Sequence, residues 1–217
     1  MSYDLDTSSA KAADNINTSI RESGKYIGTI TRAEALLSDK GTRGLGLSFK
    51  SKDGASADYL DIYTHKKNGE ELMGVKTVNA LLACLQMRGI KDGTIKCEKW
   101  DNTSKKRETV EVNGYPDLMG KEIGFLLQKT LETNNRTGAD VERLSIFGVF
   151  SAKTELTASE ILDKKVNPER LAKMVEVLAA RPVRDNRDKG GRPANVRAAT
   201  SSPSGTGFDD MDDDIPF

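Results

Sequence analysis

Three segments near the start of the chain alternate apolar with small or polar residues, and this alternation is the strongest constraint on the fold. The segments are Gly24–Thr31, Leu45–Lys50 and Asp58–Thr64. A period of two places successive side chains on opposite faces of a β-strand. Turn-forming residues lie between the segments, at 39–44 and 52–54. The sequence therefore predicts an antiparallel meander of three strands.

The alternation changes to helical spacing after the third strand. Residues 75–88 are predicted to form an amphipathic helix that ends near Arg88-Gly89. Two short strands follow, at 94–100 and 108–112. Strand, strand, strand, helix, strand, strand is the order of the five-stranded Greek-key barrel called the OB-fold. The apolar residues of the helix are Val78, Leu81, Leu82 and Leu85.

Two further segments, 122–128 and 143–150, are rich in apolar residues and are interpreted as buried strands. The first of them is also compatible with a turn of helix. Both would have to extend or cap the barrel, because the first five strands already complete its element order. The predicted fold class is mainly β with accessory helices: an OB-fold barrel with extra strands, followed by a disordered tail.

Two short helices are predicted after the last strand. Thr157 and Glu160 have the spacing of a capping box, and Asn167-Pro168 offers an N-cap followed by proline at the first helical position. The second helix carries an apolar stripe that is suited to docking on the barrel. The residues of the stripe are Leu171, Val175 and Leu178.

The residue types needed for most catalytic and metal sites are scarce. Cys84 and Cys97 fall in the predicted helix and a predicted strand, where they are interpreted as small buried residues. His65 is the only histidine, and the paired carboxylates Glu70-Glu71 lie in a polar loop where they are expected to be solvated. Glycine-rich pieces such as 41–46 lack the Lys-Ser/Thr of a phosphate loop. We therefore expect no enzymatic activity, no metal and no cofactor.

Net charge is zero overall, but the charges are unevenly distributed along the chain. Residues 181–199 contain six basic and two acidic side chains, whereas residues 200–217 contain five Asp and nothing basic. Gly, Pro and Ser also accumulate after Pro182, as in a flexible linker. No apolar run is long enough for a membrane span, and residues 1–6 do not resemble a secretory signal, so a cytoplasmic location is expected. The predicted division is a flexible arm (1–23), a folded domain (24–180), a basic linker (181–208) and an acidic tip (209–217).

The tip reads Asp209-Asp210-Met211-Asp212-Asp213-Asp214-Ile215-Pro216-Phe217, five carboxylates beside an apolar tripeptide. A segment with like charges at this density does not fold alone, and it is typical of an interaction tail. Ile-Pro-Phe suits a shallow apolar pocket rimmed by Lys or Arg. On composition alone, the alternative is a terminus that only increases solubility. The order of the residues resembles the tip of bacterial single-stranded DNA-binding proteins and of phage proteins that imitate them.

In that family the tip recruits replication, repair and recombination enzymes and does not touch nucleic acid. Together with the barrel pattern and the linker, the resemblance implies a bacteriophage-type protein that coats single-stranded DNA in the cytoplasm of a bacterial host. The longer body departs from the compact bacterial form, which favours a monomer or homodimer over a tetramer. The alternative is an adaptor or recombination mediator that binds a replication enzyme without coating DNA. The implied partner-binding residues are Asp212, Asp213, Asp214, Ile215, Pro216 and Phe217.

Binding to a single strand without reading its sequence requires cations along the phosphates and aromatic faces for the bases. An OB-fold offers its second and third strands and two flanking loops for this purpose. Tyr59 and Tyr63 alternate with core positions, and Trp100 shares its strand parity with Lys96. The candidate DNA-binding residues are Trp100, Tyr59, Tyr63, Lys96, Lys105, Lys106, Arg107, Arg43, Lys50 and Lys52.

Each candidate also has a simpler interpretation. An aromatic side chain can belong to the core, which is favoured for Tyr26 and Phe49, and a Lys or Arg can be a solvated surface residue. The basic loop beside Trp100 is the preferred region because its charges are clustered. The basic stretch 181–197 either adds affinity for phosphates or attracts the acidic tip when no strand is bound, an attraction that salt would screen.

Overall fold

The computed structural model describes Leu5, Thr7 and residues 19–101, 103, 106–134 and 137–187, with Trp100 and Arg107 described by their backbone alone. In this part of the chain the protein is mainly β, with an eight-stranded sheet and three helices. The strands are β1 (Gly24–Leu37), β2 (Arg43–Ser51), β3 (Ser56–His65), β4 (Gly93–Asp101), β5 (Lys106–Gly114), β6 (Glu122–Thr133), β7 (Asp140–Phe150) and β8 (Val183–Asp185). The helices are α1 (Gly74–Cys84), α2 (Ala158–Leu162) and α3 (Arg170–Ala180), and a 3-10 turn spans Pro116–Leu118.

Strand β1 organises the sheet. It pairs with β2 on one edge, which continues to β3, so the predicted antiparallel meander is confirmed. On its other edge, Gly24–Thr29 pairs with β6, which in turn pairs with β7. Because β3 also contacts β7, the sheet curls around one apolar core. The first strand extends six residues beyond the predicted end at Thr31, to Leu37.

Strands β4 and β5 form a hairpin that stands apart from this arrangement. The sequence assigned 94–100 and 108–112 to the barrel and treated 122–128 and 143–150 as additions. In the structure, β6 joins β1 along a continuous ladder and continues to β7. The hairpin joins β1 only at the pair Glu34 and Gly114. Its position therefore depends on side-chain contacts as well as on backbone pairing.

The main core lies on the inner side of the curled sheet. The rings of Phe49 and Phe125 meet edge to face at a centroid distance of 5.2 Å. Helix α1 contributes Leu81 and Cys84, and burial raises the pKa of the Cys84 thiol to about 12. Both cysteines are free and buried, as predicted. The helix ends at Cys84 rather than near Arg88, and Gln86 already has a left-handed φ of 55°.

Helix α3 covers the opposite side of the sheet at β6 and β7. Leu171 and Leu178 pack against Leu126 and Phe150, which confirms the predicted apolar stripe. The Phe150 ring occupies the space above Gly124, where an added Cβ would lie 2.2 Å from a ring carbon. The outer face of β6 and β7 is therefore closed by packing.

The two predicted helix starts have different outcomes. The capping box at Thr157 and Glu160 is confirmed at the start of α2. The start at Asn167-Pro168 is wrong, because α3 begins at Arg170. The backbone N–H groups of Glu169 and Arg170 donate to the buried Glu160 carboxylate, at 2.8 and 2.7 Å. This carboxylate satisfies the first donors of α3 and so fixes where the helix begins.

Residues at both ends of the folded part join the sheet. Ile20, which the sequence analysis assigned to the arm, is buried, and its N–H donates to the Ser56 carbonyl at 2.8 Å. Val183–Asp185, assigned to the linker, forms β8 and pairs with β6 in parallel. The acidic tip, 209–217, lies outside the described residues. In the described part of the chain, no helix combines the length and apolar character needed to cross a membrane.

Candidate nucleic-acid interface

The outer face of β2 and β3 carries exposed aromatic side chains and is not covered by α3. Tyr59 and Tyr63 are 57% and 42% exposed. On β2, the outward positions Gly44 and Gly46 carry no side chain. A Cβ at Gly44 would lie 2.6 Å from the Ile62 carbonyl, and one at Gly46 would lie 2.9 Å from the Leu36 side chain. Both glycines are buried, because the Leu36 side chain covers Gly46 and Tyr63 lies against Gly44.

Two bulges meet at Ser48 in the middle of this face. On β3, Asp58 and Tyr59 together stand opposite Ser48, between the pairs Phe49–Ala57 and Leu47–Leu60. On β1, Thr31 is the extra residue between the pairs Ile30–Phe49 and Arg32–Ser48. A bulge bends its strand and redirects the side chains beside it. The two bulges on either side of Ser48 bring Arg32 and Tyr59 together above it.

Arg32 and Tyr59 are in direct contact. The guanidinium carbon of Arg32 lies 5.1 Å from the centroid of the Tyr59 ring, in a cation–π arrangement. Tyr59 has a φ of 60°, in the left-handed region that residues other than glycine rarely adopt. Such a conformation costs on the order of 1 to 3 kcal/mol and is concentrated at functional sites. The fold therefore tolerates backbone strain in order to present this ring on the surface.

Glu34 connects the sheet to the β4–β5 hairpin. Its carboxylate accepts from Arg32 Nη1 at 3.3 Å and from Lys99 Nζ at 2.6 Å, with 14% of the side chain exposed. The sequence analysis missed Arg32, Glu34 and Lys99 as site residues. The alternation of Arg32 and Glu34 with Ala33 and Ala35 is the signal that would have placed the first two on an outer strand face.

The predicted cations near β2 have different surroundings. Arg43 and Lys50 are exposed near opposite ends of the strand. Lys52 lies in the following turn, and its Nζ is 2.7 Å from Glu122 Oε1. Of these three, Arg43 and Lys50 flank the tyrosine face, whereas Lys52 is directed to the edge of β6.

The remaining predicted DNA-binding residues lie on the hairpin. Trp100 pairs with Arg107 near its far end, and the exposed Lys106 pairs with Asp101. Lys96 is exposed, with its Nζ 3.3 Å from Glu111 Oε1. Lys105 falls outside the described residues. The hairpin therefore carries these positions as one group, attached to the tyrosine face through Lys99 and Glu34.

The charge of the face is mixed. Asp61 lies between the two tyrosines on β3, and partial desolvation raises the pKa of its carboxyl, while Arg32 and Arg143 oppose the shift. Desolvation also raises the pKa of the Tyr63 hydroxyl. In the described part of the chain, no cluster of three or more His, Cys, Asp or Glu residues is suited to hold a metal. A face of aromatic rings with balanced charges can stack planar groups.

No protein-family model matches the chain, and no curated protein sequence matches it either.

Proposed function

We propose that this protein binds single-stranded DNA without sequence preference and coats it during replication, recombination and repair. The observation that carries the proposal is the exposed Tyr59–Tyr63 pair on the outer face of β3, with Arg32 behind it. Exposed aromatic rings on one face of a strand fit the stacking of successive bases, which contributes about 1 to 3 kcal/mol per base. Arg43 and Lys50 at the margins are suited to the phosphates. The proposed role requires no enzymatic activity.

We also propose that the curled sheet is an OB-fold barrel built from β1, β2, β3, β6 and β7. In support, α1 follows the third strand, β6 pairs with β1, and β3 contacts β7. The β4–β5 hairpin is then an insertion between the helix and the fourth barrel strand. OB-folds bind oligonucleotides on the face of their second and third strands, and here that face carries the two tyrosines.

Binding to oligo-dT tests the proposal directly. We expect the full chain to bind labelled dT15 at low ionic strength, with a change in emission from Trp100, the only tryptophan. The logarithm of the affinity should fall linearly with the logarithm of salt concentration. Lys50→Gln should reduce that slope by roughly one, because one phosphate contact is lost. Lys173→Gln, on the exposed side of α3, is the matched control and should leave the slope unchanged.

Absence of binding to dT15 at low ionic strength would reject the proposed function. Tight binding to a replication enzyme without any binding to DNA would instead support the adaptor interpretation.

The acidic segment 209–217 is proposed to recruit partner proteins rather than to contact DNA. Its five carboxylates would be repelled by phosphates. Deletion of 209–217 should therefore leave the affinity for dT15 unchanged or higher, as measured by fluorescence anisotropy. A variant in which Asp212, Asp213 and Asp214 are replaced by Asn keeps the length and tests the charge alone. A large loss of DNA affinity in either variant would contradict the recruitment role.

A further inference from the structure

Arg32 has one edge of its guanidinium group without a hydrogen-bond partner. The residue is 6% exposed, and Nη1 is used by Glu34. Nε and Nη2 are buried and have no acceptor among the described residues. These two atoms form one edge of the planar group, and their N–H bonds point in the same direction toward two adjacent acceptors. A buried N–H donor without an acceptor raises the free energy of the folded protein. A ligand that supplies one acceptor to Nε and one to Nη2 is therefore favoured at this edge.

Arg32 lines a cleft of about 320 Å³ between the bulged strands and the hairpin. This volume is at the lower end of the range of roughly 300 to 1,000 Å³ found for small-ligand sites. Hydroxyl groups from Thr31, Ser48 and Thr109 line the same cleft. Arg32 connects this cleft to the tyrosine face, because its guanidinium group also contacts the Tyr59 ring.

The charges in the cleft favour a neutral ligand over a phosphate. Asp58 and Glu98 line it together with Arg32 and Lys96. Lys96 is already paired with Glu111, at 3.3 Å. A phosphate at the Arg32 edge would therefore approach two carboxylates with little additional positive charge to offset them. A nucleobase offers hydrogen-bond acceptors without a net negative charge, so it avoids this repulsion.

We infer that the cleft is a nucleobase subsite in which the Nε–Nη2 edge of Arg32 binds two adjacent acceptors of one base. Guanine offers O6 and N7, the pair that Arg contacts most often in specific protein–DNA complexes. Cytosine offers O2 and N3 when it is unpaired. Adenine and thymine have no two adjacent free acceptors, because the N6 amino group lies beside N1 and N7 of adenine and N3–H separates O2 from O4 of thymine, so neither base can fill both positions. The inference rests on the proposed function and adds a guanine or cytosine preference at one position of an otherwise tolerant surface.

Single-base substitution in the oligonucleotide tests the inference with the unmodified full-length protein. Competition against labelled dT15 is measured for dT15 and for versions with one central dG, dC or dA. We expect the dG or dC version to bind at least about fivefold more tightly than dT15, and the dA version to match dT15. Replacing dG by 7-deazaguanine, or dC by 3-deazacytosine, removes one acceptor of the pair and should abolish the gain for whichever base fills the site.

A protein variant provides the second arm. Arg32→Lys keeps the positive charge but cannot offer two parallel donors. It should lose the preference for dG or dC, measured within the variant as the ratio of its affinities for the dG or dC version and for dT15. Thermal unfolding shows whether the variant is folded. If it is not, binding of the deaza oligonucleotides to the unmodified protein still tests the inference.

Two results would overturn the inference. Equal affinity of the wild type for all four versions, with dT15 still bound, would remove the base subsite but leave the proposed function intact. Failure to bind dT15 at all would instead reject the proposed function and the subsite together.

Discussion

Replacement of both Tyr59 and Tyr63 by alanine is expected to weaken dT15 binding by at least about 30-fold, because two stacked bases lose roughly 1 to 3 kcal/mol each. Both rings are exposed, at 57% and 42%, so their removal costs little packing. Fluorescence anisotropy at fixed salt measures the loss. The salt dependence should remain unchanged, since the variant removes no cation.

The matched control keeps the rings and removes only the hydroxyl groups. Tyr59→Phe with Tyr63→Phe should bind dT15 within a few-fold of the wild type, because stacking uses the ring face. Loss of binding in this control would indicate that the hydroxyls, and not the rings, carry the interaction. Full binding by the double alanine variant would show that DNA lies elsewhere on the molecule.

Glu160→Gln is expected to lower the free energy of unfolding by about 3 kcal/mol, the largest stability effect of a single change that we predict. Glu160 is 1% exposed and accepts hydrogen bonds with both carboxylate oxygens. Oε2 accepts from the Thr157 N–H and hydroxyl, each at 2.8 Å, and Oε1 accepts from the N–H groups of Glu169 and Arg170. An amide has one oxygen and places its own N–H groups against the remaining donors. Urea unfolding measures the loss as a lower denaturation midpoint with an unchanged m-value.

The difference in unfolding free energy between the wild type and Glu160→Gln should depend on pH. Burial alone would raise the pKa of the Glu160 carboxyl, but the hydrogen bonds from Arg170, Thr157 and Glu169 outweigh it and lower the pKa below 4.5. The stabilisation is therefore present above the unfolded-state pKa and is lost as pH falls through the lower folded-state pKa. The stability difference between wild type and Glu160→Gln should narrow in acid. Glu169→Gln, at an exposed position, should change stability by less than about 0.5 kcal/mol at any pH.

The sequence predicted the elements whose identity depends on their own residues. Alternation located β1, β2 and β3, and the spacing of Thr157 and Glu160 located the start of α2. The start of α3 was not predictable from Asn167-Pro168, because a distant carboxylate decides it. Local signals specify the presence of an element, whereas its boundaries depend on which partner satisfies its free N–H groups.

The candidate site was predictable only in part for a related reason. The parity of β3 placed Tyr59 and Tyr63 outward correctly, and both are exposed. The contact between Arg32 and Tyr59 was not predictable, because it requires two bulges at the level of Ser48 in adjacent strands. A bulge changes strand parity by one residue and leaves no reliable mark in the sequence. The limited pairing of the hairpin with β1 was not predictable either, because the order of elements does not decide which strands pair.

The Glu34 carboxylate accepts hydrogen bonds from both Arg32 and Lys99. These contacts make the attachment of the β4–β5 hairpin to the sheet sensitive to ionic strength. The contact between Lys99 and Glu34 is partly exposed to solvent, so dissolved ions weaken it as they weaken attraction to a polyanion. Raising the salt concentration therefore weakens the attachment of the β4–β5 hairpin through Lys99 and Glu34, and it also reduces the gain from counterion release when a protein binds a polyanion. If the proposed binding to single-stranded DNA is measured against salt, part of the response is expected to come from this contact within the protein, so the slope would overstate the number of phosphate contacts.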